Sequence, residues 1–176
     1  MGMFSAVKHP RNIIIIILSF FLLKNYNGDM NKLLVKQVKE LLSEEVKLSA
    51  LSNVTAAIYQ NLDRINWVGY YFYKNKQLKL GPFQGKPACT TIPIGKGVCG
   101  TAYEKKMLLN INDVSRFDGH IACDPDSCSE LVTPLIHEGK IFGVLDIDSP
   151  EYRRFGVEEE ETMEAIAALI SKKLAE

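Results

Sequence analysis

The chain has 176 residues, 47% of them hydrophobic, which is enough for one well-filled core and hardly for two. Its 21 basic residues balance 21 acidic ones and no long basic run appears, so a nucleic-acid partner gets no support. Four cysteines in a chain with this much core do not describe a disulfide-stapled secreted domain.

Residues 1–29 stand apart. Lys8 and Arg11 precede the apolar run Ile13–Leu23, which only Ser19 interrupts. Eleven helical residues would span roughly 16 Å, about half of a bilayer core of ~30 Å. The run resembles the core of a signal peptide, yet no small-x-small cleavage site follows it. We read 1–29 as a leader outside the fold (an upstream translation, an anchor or an uncleaved targeting piece) and 30–176 as the domain. Membrane contact is expected only if the leader is retained.

From Asn31 to Leu62 the apolar residues recur at three- and four-residue spacing. This predicts two amphipathic helices with a break near Ser49–Asn53. Trp67–Tyr73 is aromatic and β-prone, and Lys74-Asn75-Lys76 makes a polar turn into Gln77–Leu80, which reads as a hairpin. Gly81–Pro93, rich in Gly and Pro, is expected to be a loop, followed by a short helix over Val98–Lys105. Phe117–Ser129 is a second polar loop. Leu131–Ile136 and Lys140–Asp148 read as strands joined at His137-Glu138-Gly139, and Glu158–Leu174 as a closing amphipathic helix. The order predicts an α+β fold with a mainly antiparallel sheet.

Three places invite chemistry. Asp146 and Asp148 alternate with Leu145 and Ile147, so in a strand the two carboxylates share one face while the apolar pair enters the core. A solvated strand end would explain them, whereas a buried pair facing a pocket would suit a ligand ammonium. Cys99 falls in the first turn of a predicted helix, where backbone N–H groups favour a thiolate, and local environment alone makes it the reactive thiol. Cys123 lies between His120, which can stabilise a thiolate, and Asp124, which opposes one. Cys123 and Cys128 come nearest to a zinc knuckle, but the second knuckle is missing, so redox thiols are the better reading and no metal is expected. Gly81–Lys86 has one residue too few between its glycines for a phosphate loop, and no Ser or Thr follows the lysine.

Five segments together resemble the free methionine-(R)-sulfoxide reductases, a catalytic branch of the GAF domains. They are Asn66–Tyr71, Gly81–Lys86, Gly97–Ala102, Phe117–Asp124 and Gly143–Ser149. The resemblance runs from about Met30 to the C-terminus. It implies a GAF-like fold with a central antiparallel sheet, terminal helices on one face, and cysteine loops closing a pocket on the other. By position, Cys123 matches the nucleophile, Cys89 the principal resolving thiol and Cys99 an auxiliary one. Trp67 and Tyr71 match the pocket walls, and Glu130, Asp146 and Asp148 the acids that hold the ammonium and assist the sulfoxide. Cys128 has no counterpart.

The implied reaction reduces free methionine-(R)-sulfoxide in the cytoplasm through a sulfenic acid and an intramolecular disulfide. Thioredoxin, with NADPH and thioredoxin reductase, would be the external reductant, and no cofactor would be bound. A non-catalytic GAF sensor is the alternative. Whether the chain forms a homodimer stays open.

Overall fold

The apolar spacing of the first third builds two helices, α1 over residues 31–41 and α2 over Lys47–Asn61. The computed structural model describes residues 31–121 and 123–176. The leader over residues 1–29 therefore lies outside the described residues. The break between α1 and α2 falls at residues 42–46, not at Ser49–Asn53. Ser43 Oγ donates to the Glu40 carbonyl at 2.6 Å, and the Glu44 carboxylate accepts from the Val46 N–H at 3.0 Å. These side chains satisfy backbone groups that a helix end and a helix start leave open. Ser49–Asn53 stays helical because Ala50 and Leu51 are buried, and Ser52 turns its hydroxyl back onto the Leu48 carbonyl.

The rest of the chain runs β1 (Trp67–Lys74), β2 (Gln77–Gly85), β3 (Thr91–Pro93), α3 (Gly97–Lys105) and β4 (Leu109–Ile111). A 3-10 turn (Val114–Arg116), β5 (Ser129–His137), β6 (Lys140–Ser149) and α4 (Val157–Ala175) complete it. The strands form one six-stranded sheet in the order β3-β2-β1-β6-β5-β4, with every neighbouring pair antiparallel. This is the expected α+β fold.

The loop expected over Gly81–Pro93 is a correction. β2 continues to Gly85 because β1 pairs along its whole length, Gly69 with Phe83 and Trp67 with Gly85. The register shifts between Gly69 and Tyr71, which sets Gly81 and Pro82 together opposite Tyr70 in a bulge with one extra residue. A bulge tolerates a proline that has no N–H to give the ladder. Thr91–Pro93 then returns as the edge strand β3. β4, also unforeseen, is three residues long with a polar Asn110 at its centre, too short to show a period.

Strand alternation divides the molecule. Val68 and Tyr70 of β1, Leu131 and Leu135 of β5, and Leu145 and Ile147 of β6 face α1, α2 and α4, where Leu34, Val38, Ile58, Met163 and Ile166 complete the main core. The opposite parity places Trp67, Tyr71, Val132 and Val144 on the second face with Val98, Cys99 and Ala102 of α3. Gly69 sits between Trp67 and Tyr71 on that face and pairs with Asp146. A Cβ on Gly69 would approach the Trp67 indole and the Phe83 Cβ to 2.5 Å, so the indole lies where a side chain would be.

Gly69→Ala must therefore displace the ring of Trp67, which is 2% exposed and the chain's single tryptophan. We expect a red-shifted tryptophan emission and a loss of about 1–3 kcal/mol in urea unfolding, the usual cost of overpacking. Unchanged emission and midpoint would show that the pocket floor has slack.

Candidate active site

The second face of the sheet carries a pocket whose floor is set by register. Asp148 pairs with Trp67 of β1 on one side and with Glu130 of β5 on the other, and Asp146 sits between Gly69 and Val132. Trp67, Tyr71, Glu130, Asp146 and Asp148 thus project together from three adjacent strands. His120, Cys123 and the Lys86–Ala88 segment join them from the loops, and Val98 and Cys99 from α3. The cavity between them is narrow, about 30 Å³.

The walls hold the loops. The Trp67 and Tyr71 rings stack with centroids 5.9 Å apart. Trp67 Nε1 donates to the Lys86 carbonyl at 3.1 Å, and the Tyr71 hydroxyl donates to the Cys89 carbonyl at 3.0 Å. Burial, and then the charge of Asp146, pushes the Tyr71 phenol up, so it remains a donor at any ordinary pH. The loop carrying Cys89 is thereby fixed over the aromatic pair. A disulfide joins Cys89 to Cys123, with Cα atoms 5.5 Å apart.

The three acids are charged with difficulty. Burial raises Asp146 to about 6. Burial and then the Asp146 charge drive Glu130 and Asp148 well above the carboxylate range. Asp146 Oδ1 is buried and has no hydrogen-bond partner among the described residues. Asp146 and Asp148 are therefore not a solvated strand end.

Cys99 corrects the preference drawn from its helix position. It is 3% exposed, and its sulfur lies 3.8 Å from Glu130 Oε1. Burial first, then Asp146 and Glu130, push its thiol well up, which outweighs any help from the start of α3. Burial also lowers His120, whose Nε2 stands 3.8 Å from Glu130 Oε2, so a neutral imidazole faces the acids.

Cys99, Glu130 and Asp146 bring one sulfur and two carboxylate oxygens within 4.8 Å of one another, the one such group among the described residues. Any cation seated there, an ammonium included, would relieve the repulsion. The zinc spacing of Cys123 and Cys128 is not assembled. Cys123 is bridged to Cys89, while Cys128 lies outside the pocket with its sulfur 3.8 Å from the Asp126 carbonyl.

Sequence reasoning missed Asn66, Lys86 and Ser127: Asn66 and Lys86 donate to Asp124, and Asn66 also donates to Ser127 Oγ, which ties the loops to the sheet. Two of them stood inside quoted segments, but a polar residue beside a loop gives no periodic signal.

Residues 38–174 match the GAF domain family. The chain is 46% identical over 149 residues to the free methionine-R-sulfoxide reductase of Escherichia coli, covering 85% of this chain and 86% of that one. Its fold superposes on fRMsr of Staphylococcus aureus in complex with substrate, with TM-score 0.77, 49% identity, and 82% and 95% of the two chains covered. The substrate complex of free methionine-R-sulfoxide reductase from Neisseria meningitidis gives TM-score 0.81 at 32% identity, over 85% and 90%.

The acids make a prediction that needs no ligand. A carboxyl raised by folding stabilises the fold while protonated and loses that contribution as pH rises through its folded value, here about 6 for Asp146. Asp146→Asn should raise the Tm of the unliganded protein at pH 8, by roughly 1–3 kcal/mol of stability, and should have little effect at pH 4. A variant less stable than the parent at pH 8 would show that the carboxylate has a compensating partner.

Proposed function

The chain belongs to the free methionine-(R)-sulfoxide reductases, enzymes built on the GAF domain, and we propose that it reduces free L-methionine-(R)-sulfoxide with Cys123 as nucleophile. The observation that carries this reading is the Cys89–Cys123 disulfide over a pocket floored by three uncompensated acids. A redox-active pair and a seat for an ammonium lie in one cavity.

The substrate's ammonium supplies the cation that Asp146 and Asp148 lack, and the Trp67–Tyr71 wall takes the methyl end. A residue within a peptide has no ammonium, so the same acids select the free amino acid. Glu130, kept protonated by burial and by Asp146, is placed to give its proton to the sulfoxide oxygen. The Cys123 thiolate attacks the sulfoxide sulfur. In the net step the oxygen passes to Cys123 as a sulfenic acid, and methionine is released. The Cys89 thiol then attacks that sulfenic sulfur, forming the disulfide and expelling water. A dithiol such as thioredoxin restores both thiols by exchange, itself becoming a disulfide, with NADPH and thioredoxin reductase as the upstream electron source. Cys99, buried and held as a thiol, is a reserve resolving group at most. The space between the bridged loops is narrow, and reduction of the bridge leaves them free to part for a new substrate. A disulfide meant to be reduced in every cycle suits a reducing compartment, and on that ground we assign the enzyme to the cytoplasm.

Single-turnover chemistry tests the roles of the thiols. Pre-reduced Cys123→Ser should form no methionine from stoichiometric substrate. Cys89→Ser should release about one methionine per site and leave a sulfenic acid that dimedone traps, with thioredoxin-coupled turnover falling at least about tenfold. Methionine formed by Cys123→Ser would return the nucleophile to Cys99. Tight binding without turnover by the wild type would favour the sensor reading.

Residues 1–29 are further proposed to lie outside the catalytic unit, since α1 enters the core through Leu34 and Val38. A chain beginning at Met30 should keep its kcat/KM within about twofold and its Tm within a few degrees. An insoluble or inactive product would make the leader part of the fold.

A further inference from the structure

Asp124 is an acid of another kind from those on the pocket floor. Its side chain is 5% exposed, yet its carboxylate is surrounded by donors. Oδ1 accepts from the Asp126 N–H at 3.0 Å and from Lys86 Nζ at 3.2 Å, and Oδ2 accepts from Asn66 Nδ2 at 3.1 Å. The Asp126 N–H foremost, with Lys86 and Asn66, holds it ionised below the usual carboxylate range despite its burial. The same lysine reaches the Asp126 carboxylate, and the same Asn66 amide donates to Ser127 Oγ at 3.0 Å. Asn66 is itself fixed to the sheet, its N–H donating to the Asp148 carbonyl at 3.0 Å.

Placement gives these bonds their meaning. Asp124 follows Cys123 directly, and Lys86 lies three residues before Cys89. The Lys86–Asp124 pair is therefore a second, non-covalent link between the two loops that the disulfide joins, and Asn66 anchors it to the start of β1. Reducing the disulfide leaves this link chemically intact.

We propose that Asp124, with Lys86 and Asn66, is a positioning clamp that brings the Cys89 thiol to the Cys123 sulfenic acid and so sets the rate of disulfide closure. The inference rests on the thiol roles proposed above. The step it governs is balanced: the sulfur–sulfur bond forms, the Cys123 sulfur–oxygen bond breaks, and the Cys89 proton leaves with the oxygen as water. Cys89 is oxidised and the sulfenic sulfur is reduced. The clamp supplies no atom to this reaction. It raises the local concentration of one thiol at one sulfur, as linked reactants do.

The experiment mixes pre-reduced enzyme with one equivalent of substrate and follows three species by rapid quench: methionine, dimedone-trappable sulfenic acid, and the Cys89–Cys123 bridge by mass after alkylation. Relative to methionine formation, closure should slow by about two- to fivefold for Lys86→Met, the range of an exposed ion pair, and by about tenfold for Asp124→Asn, whose carboxylate is buried among three donors. Sulfenic acid should accumulate between the two events. Lys86→Arg should restore most of the closure rate. Added salt should slow closure in the wild type and leave Lys86→Met nearly unaffected, because the lysine head is solvent-exposed. Lys86 keeps the test available if Asp124→Asn folds poorly. Closure at the wild-type rate in Lys86→Met overturns the clamp, as does an equal slowing of methionine formation and closure in both variants. A wild type that never forms the Cys89–Cys123 bridge would instead overturn the thiol roles, and the clamp with them.

Discussion

Glu130 and Asp148 face each other across β5 and β6, and Asp146 lies one pleat along on the same face. Like charges directly opposite in an antiparallel pair are unfavourable, and here they are also taken out of water. Among the described residues the pocket offers them a few hydrogen bonds but no free cation. Its His120 is held neutral, and its lysine, Lys86, is engaged by Asp124 and Asp126 at the rim. The sheet carries this repulsion because its other face is well filled: Leu131, Leu145 and Ile147 alternate with the acids and pack under α1, α2 and α4. Helix packing on one side thus offsets the cost of burying three acids on the other, a local cost accepted at a functional site.

The loops follow from the same constraint. An acid floor open to water would be hydrated, and its preference for a bound cation would weaken with the higher dielectric. The Cys89 and Cys123 loops cover it, and Trp67 and Tyr71 serve twice, as walls and as donors to the backbone of the Cys89 loop. The Cys89–Cys123 bond therefore lies in the same loops that cover the cavity.

Much of this was legible in the sequence, and what was not has a common cause. The face shared by Asp146 and Asp148 followed from period two alone, because alternation with Leu145 and Ile147 leaves no other way to bury the apolar pair. The terminal helices followed from their stripes. Gly81–Pro93 was misread because a strand that contains Gly and Pro is held by its partner, and the pairing of Gly69 with Phe83 is not a local property. The helix break was displaced because Ser49 and Ser52 are weak helix formers in isolation, whereas Ala50 and Leu51 are buried by the fold.

Cys99 shows where local reasoning fails most completely. Its place at the start of α3 argues for a thiolate, and the argument is sound for an exposed terminus. The fold turns that terminus onto the acid floor, where desolvation and two neighbouring carboxyls act on the same sulfur in the opposite direction. A helix start contributes a fraction of a charge, screened as it nears solvent, while Asp146 and Glu130 are whole groups within 4.8 Å of the thiol in a buried pocket. The same physics separates the two kinds of acid. Asp124 is nearly as enclosed as Asp146 and remains ionised, because three donors reach it where the described residues give Asp146 Oδ1 none. Burial alone does not decide the charge of a group. The partners that the chain brings with it do, and those partners lie from 2 to 58 residues away in sequence.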